Sequence, residues 1–458
     1  MLLNDQESPD FIVSGEWAIL SSETVAPDFA LLVKDGQIVK TGPRAALEEG
    51  FPTVPRYGGD NCILMPGLIN THTHLFQTFL KGVGGVSDLA SWVTGVTSPA
   101  ALNLTRDDAY LSAMLGSMEA IRSGTTFLAE FSYAFPNRET FEGILSAFKE
   151  TGLRGWLGLG INDIGVENGV NPRLISSIPE QLKLADNLQR QVQSSGTGRL
   201  SFALCPSSIR SISAEGLHEV VEYGQDHALY WSMHINETAR DNAIAMQRSG
   251  KPLLRYLADL SVLNERLLAV HCVHTSEEDI RLMADHGVSV SYNPVSNRYL
   301  GNGIAPVVAM QEAKVNVTLG TDGAASNNSQ DMLETLKAAV LDQRGARQTA
   351  KAMEAREGMR MATLNGAHAV GLGDRVGTLQ VGRNADIVVL RAATPKMTPV
   401  YDPLQSVLFS SGEENVDTVI IGGKVVLESG YFVTIDEQRI LADAKAAAAN
   451  LLKRAQIS

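Results

Sequence analysis

Apolar residues fall in short runs along this chain, and the spacing within the runs separates two textures. Near the start, FIVSGEWAIL and FALLVKDGQIVKTG are strand-like segments bounded by turn signals, with Asp35-Gly36 as a strong hairpin signal between two of them. The same texture returns after about residue 376, in ADIVVL and in VDTVIIGGKVVLESG, where Gly422-Gly423 separates two β-branched segments. Both ends therefore predict one small composite β-sandwich. Residues 1–65 would supply its N-terminal half and 376–440 its C-terminal half, with a helix over 441–458.

Residues 66–375 alternate short apolar strands with amphipathic helical stretches. The strand candidates are ILMPGLI, TTFLAEF, RGWLGLGI, LSFALCPS, LYWSMHI, RLLAVHC, VSVSYNP and VNVTLGT, beginning near residues 63, 125, 154, 200, 229, 266, 288 and 315. DDAYLSAMLGSMEAIRS, EDIRLMADH and DMLETLKAAVL carry apolar residues at helical spacing between or after them. Such β-then-α units predict the α/β class and a (β/α)8 TIM barrel, which places its chemistry on the loops after the strand C-termini. A doubly wound open sheet is the rival architecture, but it would usually show a glycine-rich phosphate loop after an early strand, and the sequence has none.

Composition narrows the function classes. With 458 residues, 44% hydrophobic and 19% charged, the chain has the make-up of a folded enzyme with a large core. Its formal charge of −13 includes no basic block that would neutralise a run of phosphates, which argues against nucleic acid as a partner. Cys62, Cys205 and Cys272 are too few for a disulfide framework and lie in apolar stretches, which points to a reducing compartment. The start MLLNDQESPD has no apolar signal region and no run is long enough to span a membrane, so a cytoplasmic location is expected.

The candidate chemistry lies at the strand ends. In Asn70-Thr71-His72-Thr73-His74 the alternation of a strand puts both imidazoles on one side, although such a pair by itself reads equally well as packing or surface. The chain has only nine histidines, yet His234, His271 and His274 also close proposed strands, and Gly320-Thr321-Asp322-Gly323 brings a carboxylate to the end of the eighth. Three imidazoles and an aspartate suit zinc or ferrous iron. Glu237, three positions after His234, belongs on the following loop, where it can act as a general acid/base. Cys272 alternates away from His271 and is not a ligand; His271 is placed to hydrogen-bond the attacking water or a developing oxyanion. His274 is a second-shell or structural residue, and His218, His227, His286 and His368 read as surface or packing.

In this order, each at a strand end, these residues resemble the amidohydrolase superfamily, specifically its mononuclear cytosine-deaminase-like branch with the s-triazine hydrolases and adenosylhomocysteine deaminases. PGLINTHTH, MHINET, HCVH, NPVSN and LGTDGAASNN look like blocks of that family, and GTLQVGRNADIVVL resembles the segment where its chains leave the barrel and re-enter the sandwich. The resemblance implies that His72, His74, His234 and Asp322 bind one divalent metal ion, zinc first and Fe2+ as the alternative. It implies Glu237 as proton shuttle and His271 as the activating histidine, with Asp322 taking a proton as water attacks an sp2 carbon and Glu237 protonating the departing nitrogen. Binuclear relatives use a carboxylated lysine from strand four, and LSFALCPS contains none, so one ion is expected and Cys205 reads as a buried thiol.

Substrate contacts are expected from Gln77 and Trp92 after strand one and from Ser296-Asn297 after strand seven; Trp92 reads equally as core packing. Nucleoside deaminases of this branch typically carry an acidic residue just after that tryptophan to hold a ribose, whereas here the text is SWVTGVTSPAALNLT, which argues against a nucleoside. The expected reaction is C–N hydrolysis in a small nitrogen-rich compound, foremost deamination of an aminated heterocycle of purine, pterin or s-triazine type. Hydrolysis of an exocyclic amide, urea or carbamate and dechlorination of a triazine-like substrate are the alternatives. An inactive binding homologue stands further off, since all six chemical positions are filled. The partner is then a small-molecule substrate, not nucleic acid or membrane. By resemblance the chain would form a homodimer or higher homo-oligomer, with the apolar loop GVGGVSDLASWV as a contact or lid.

Overall fold

The computed structural model describes residues 10–85, 89–133, 138–196 and 198–457. The acidic start and the centre of the GVGGVSDLASWV loop fall outside the described residues. Four strands open the chain: β1 (Phe11–Ser21), β2 (Thr24–Lys34), β3 (Gln37–Pro43) and β4 (Arg56–Pro66). Eight follow in the middle: β5 (Leu68–Thr73), β6 (Thr125–Ser132), β7 (Arg154–Ile161), β8 (Leu200–Pro206), β9 (Tyr230–Ile235), β10 (Leu267–His271), β11 (Ser289–Tyr292) and β12 (Asn316–Leu319). The last four are β13 (Ile387–Arg391), β14 (Val416–Ile421), β15 (Lys424–Glu428) and β16 (Tyr431–Phe432).

The two chain ends build one eight-stranded sheet in the order β16-β15-β14-β13-β4-β1-β2-β3. It is antiparallel except where β1 runs parallel to β4. The sheet rolls back on itself, because Gln37 at its far edge bridges Asn384 just ahead of β13, and Ile38 N–H donates to Arg383 O at 2.9 Å. Inside the roll, Val13, Leu31, Val33, Leu64, Ile387 and Ile420 share one buried cluster. The hairpin signals act here by conformation. Asp35 and Gly36 (φ 50° and 78°) turn β2 into β3, and Gly422 and Gly423 (φ 55° and 75°) turn β14 into β15, the left-handed pairs that two-residue hairpins need. The two turns also touch: a Cβ on Gly423 would lie 2.4 Å from Gly36 Cα.

The first strand candidate, ILMPGLI, divides in the structure. Ile63–Pro66 ends β4 in the small sheet, and the barrel begins at Leu68. Gly67 makes the crossing where a Cβ would stand 2.1 Å from Thr126 Oγ1. From β5 to β12 the strands pair in sequence and in parallel. β12 closes on β5 through Asp322 N–H to His72 O at 2.9 Å and Thr71 Oγ1 to Leu319 O at 2.9 Å, so the sheet is a nearly closed (β/α)8 barrel.

Alternation along the strands sorts side chains into two layers. Ile69, Phe127, Trp156, Ala203 and Leu268 form one buried cluster with Ala367 and Val370, while Leu68, Leu128, Leu157, Leu204 and Ala269 join the large cluster with the helices. The predicted helices form at Arg106–Arg122, Glu277–Asp285 and Met332–Arg347, the first two with capping boxes (Thr105/Asp108 and Ser276/Asp279) and the third capped by Asp331. A buried bidentate pair, Arg154 to Asp386 at 2.9 Å through both nitrogens, ties β7 to the small sheet. The C-terminal helix begins at Glu437, earlier than the pattern suggests, and its Glu437 pairs with Arg122 at 2.6 Å. No helix among the described residues is long and apolar enough to cross a membrane.

Candidate metal centre and its cavity

His72 lies within β5 and His74 directly follows it; His234 lies in β9, His271 ends β10, and Asp322 comes just past β12. Their convergence depends on how the strands end. His271 (φ 74°), Asp322 (φ 65°) and Asn236 (φ 50°) are all left-handed, a conformation costly for residues with a Cβ and concentrated at functional sites. Among the described residues, the groups able to hold a cation are His72/His234/His271 and His72/His74/Asp322, each with donor atoms within 4.8 Å of one another and both sharing His72.

Hydrogen bonds assign the imidazole tautomers. His74 Nδ1 lies 2.6 Å from Phe131 O and His234 Nδ1 lies 2.8 Å from Ser207 O. A carbonyl only accepts, so each Nδ1 carries the proton and each Nε2 keeps its lone pair. Those two Nε2 atoms are 3.3 Å apart, and neither can donate to the other. Nitrogen ligands about 2.05 Å from a tetrahedral zinc would be separated by ~3.3 Å, which matches. The buried His72 Nε2 has no hydrogen-bond partner and lies 3.5 Å from Asp322 Oδ1, and His74 Nε2 is equally far from that oxygen. The donor set therefore fits a divalent cation.

Charge agrees with geometry. Burial, reinforced by neighbouring imidazoles, pushes His74 down to about 3, and His72 and His234 are likewise lowered chiefly by burial. Burial works the other way on Asp322, but the adjacent imidazoles, His72 foremost, outweigh it and hold the carboxyl well below its usual range. Neutral imidazoles beside an ionised carboxylate are the protonation states that metal ligands require.

Around these residues lies a supporting set. Ser296 Oγ donates to Asp322 Oδ2 at 2.6 Å. His271 Nδ1 lies 2.8 Å from Asn297 Oδ1, an atom that only accepts, and the longer 3.2 Å contact to Asn293 Nδ2 is the weaker claim on the same nitrogen. His271 Nε2 is then an acceptor, 3.9 Å from Glu237 Oε1. Glu237 sits on the loop after β9, its Oε1 accepting from Asn302 Nδ2 at 3.0 Å and its Oε2 from Arg210 at 3.2 Å. Burial raises its carboxyl above the ordinary value despite the opposing pull of the neighbouring His271 and Arg210.

A cavity of about 420 Å³ opens on this cluster, and His74, His234, Glu237, His271 and Asp322 reach its wall. Gln77 and Trp92 line it as expected, and each buries a polar atom without a partner, Gln77 Oε1 and Trp92 Nε1. Ser296 and Asn297 are a correction: both are fully buried in the helix Pro294–Tyr299 and brace Asp322 and His271 instead of lining the cavity. His274 is exposed and outside the cavity wall; its Nε2 meets the backbone carbonyl of Asn302 at 3.0 Å, one residue removed from the Glu237 carboxylate. Cys205 and Cys272 are buried free thiols outside both cation groups, and the four remaining histidines are exposed.

Sequence reasoning missed Arg210, Ser207 and Asn302. Ser207, in the cavity wall, offers its carbonyl to His234, and its buried hydroxyl has no partner. The available signal was position: CPSSIR follows a barrel strand, where polar residues collect at the mouth.

The amidohydrolase family profile matches residues 63–426. The chain is 33% identical to the 5'-deoxyadenosine deaminase of Methanosarcina mazei over 449 residues, covering 97% of this chain and 99% of that protein. It is also 33% identical to the 5-methylthioadenosine/S-adenosylhomocysteine deaminase of Desulforudis audaxviator over 421 residues, covering 92% and 94%. The crystal structure of an adenosine deaminase from Xanthomonas campestris with bound zinc superposes with a TM-score of 0.90 at 29% identity, covering 98% of this chain and 99% of that one.

Proposed function

Since the chain belongs to the amidohydrolase family, we propose that it is a zinc-dependent aminohydrolase that removes the amino group of a nitrogen heterocycle as ammonia. The observation that carries this reading is the pair of lone-pair Nε2 atoms of His74 and His234, 3.3 Å apart at the wall of a cavity that also holds the Glu237 carboxylate. Relatives named as deaminases of adenine nucleosides support an aminated ring as substrate.

His72, His74, His234 and Asp322 would hold the cation, which supplies the Lewis acidity that makes water nucleophilic near neutral pH. Water adds to the ring carbon that bears the amino group, and the C–N bond breaks. His271 Nε2, left as an acceptor by Asn297, aligns the attacking water by taking a hydrogen bond. Asp322, held at Oδ2 by Ser296, takes a proton from it. Glu237 delivers a proton to the departing nitrogen, and its raised affinity for protons suits a group that must both take and give one.

The ring itself would meet Gln77 Oε1, which is ready to accept from an N–H, and Trp92 Nε1, which is ready to donate. Trp92 is followed by Val93 and Thr94, so neither residue directly after it brings a carboxylate to a ribose diol. The decisive assay is ammonia release by zinc-loaded protein across free aminopurines, adenine nucleosides, pterins, s-triazines and phenylureas. Turnover of at least one amine-bearing ring is expected; none at all would defeat the proposal.

A further inference from the structure

Arg210 stands in the cavity wall, four residues beyond β8, and its guanidinium is committed to two carboxylates at once. Its Nη2 donates to Glu237 Oε2 at 3.2 Å, and its Nε lies 3.3 Å from Asp241 Oδ1. Asp241 is fully buried, and its other oxygen accepts from the backbone N–H groups of Glu237 at 2.9 Å and Thr238 at 3.3 Å, as the third residue of the helix Ala239–Ser249 completing a capping box with Thr238. The contacts close a ring that runs from the Glu237 side chain through Arg210 and Asp241 back to the Glu237 backbone.

The turn bearing Arg210 is itself held. Arg248, from that same helix, donates to the carbonyls of Ile209 at 2.5 Å and Ile212 at 3.1 Å, on either side of Arg210. A planar guanidinium with a fixed fork of donors, mounted on a pinned turn, restricts a carboxylate far more than one flexible ammonium does.

We propose that Arg210 is the positioning residue of the proton-shuttling Glu237, holding Oε2 so that Oε1 stays on the side of Asn302 and His271. Resting on the aminohydrolase reading, this makes turnover depend on a residue that need not contact the reacting atoms. Misplacing a catalytic group by about 1 Å can cost on the order of 100-fold in rate.

The test compares parent, Glu237→Gln, Arg210→Gln, Arg210→Lys and Arg210→Ala, all zinc-loaded, in steady-state ammonia release, with bound zinc and melting temperature measured alongside. Arg210→Gln should lower kcat by about 100-fold with KM little changed. Arg210→Lys should recover part of the loss, and added guanidinium should restore activity to Arg210→Ala at concentrations that do not lower its melting temperature. Should Arg210→Gln fail to fold, the lysine variant and the guanidinium series decide. Parental kcat in Arg210→Gln, an effect on KM alone, or no response to guanidinium would overturn the proposal. If the parent itself releases no ammonia from any amine, the aminohydrolase reading fails; if Glu237→Gln is impaired while Arg210→Gln is not, only the role of Arg210 fails.

Discussion

Ser296 Oγ and Asp322 Oδ2 lie 2.6 Å apart, and this contact divides the two oxygens of the carboxylate between different tasks. Oδ2 faces a hydroxyl donor, while Oδ1, held by the Gly323 N–H at 2.7 Å, faces His72 and His74. Ser296→Ala removes the donor without altering any proposed ligand. A loss of about 10- to 100-fold in metal affinity or activity is expected, the usual cost of deleting a partner of a metal ligand. Zinc titration and kcat on the same preparation measure it, and parental values for both would remove Ser296 from the site.

Glu237→Gln keeps the shape of the side chain and its contact with Asn302 but ends proton transfer. A drop in kcat of about 100- to 10,000-fold is expected, with zinc content and melting temperature kept near those of the parent. Activity close to the parent would reject Glu237 as the shuttle.

Removing the cation should leave lone pairs facing each other across the barrel mouth. Chelation is expected to abolish ammonia release and lower the melting temperature, with zinc restoring both; a ligand at a thousand times its Kd contributes about 4 kcal/mol of stability. Elemental analysis should find one zinc per chain and little in His74→Ala. Full activity in metal-free protein would refute the centre.

Glu130 predicts a pH dependence of stability outside the reaction. Burial raises its carboxyl from an ordinary 4.5 to about 7, against the opposing hydrogen bonds from Ser132 and the Leu75 N–H. Below pH 4.5 the group is protonated in both folded and unfolded chains and costs nothing. As pH rises from there to about 7 the unfolded chain loses the proton first, so the parent should lose on the order of 3 kcal/mol relative to Glu130→Gln. Denaturant melts of both proteins at the two ends of that window provide the measurement, and parallel curves would contradict it.

Gln77→Leu deletes the unpartnered Oε1 at the cavity wall. A rise in KM of about 10-fold is expected for the best substrate, the value of one ordinary hydrogen bond, with kcat less affected. An unchanged KM would mean that the ring does not meet Gln77.

Parts of this structure were legible because local chemistry leaves few choices. Asp35-Gly36 and Gly422-Gly423 read as hairpins since a two-residue turn needs positive φ at both positions. The six proposed chemical residues stood out because strand ends are where a barrel gathers its chemistry. Other parts misled. The position of Ser296 and Asn297 after a barrel strand predicts substrate contacts, but the chain after β11 enters a short helix that turns both into the protein. ILMPGLI read as one strand because periodicity does not show that Gly67 passes the chain from one sheet to the next.

By itself, the sequence determined the element types, the barrel and the identity of the side chains able to bind a cation, since each follows from residue type and short-range spacing. Only the tertiary structure decided which nitrogen of each imidazole faces the centre and which residue holds Glu237. The carbonyls of Phe131 and Ser207 that orient His74 and His234 are backbone groups, identical at every position, and no residue type marks them. Arg210 meets Glu237 only because β8 and β9 end side by side, a neighbourhood created by barrel closure and not by spacing along the chain.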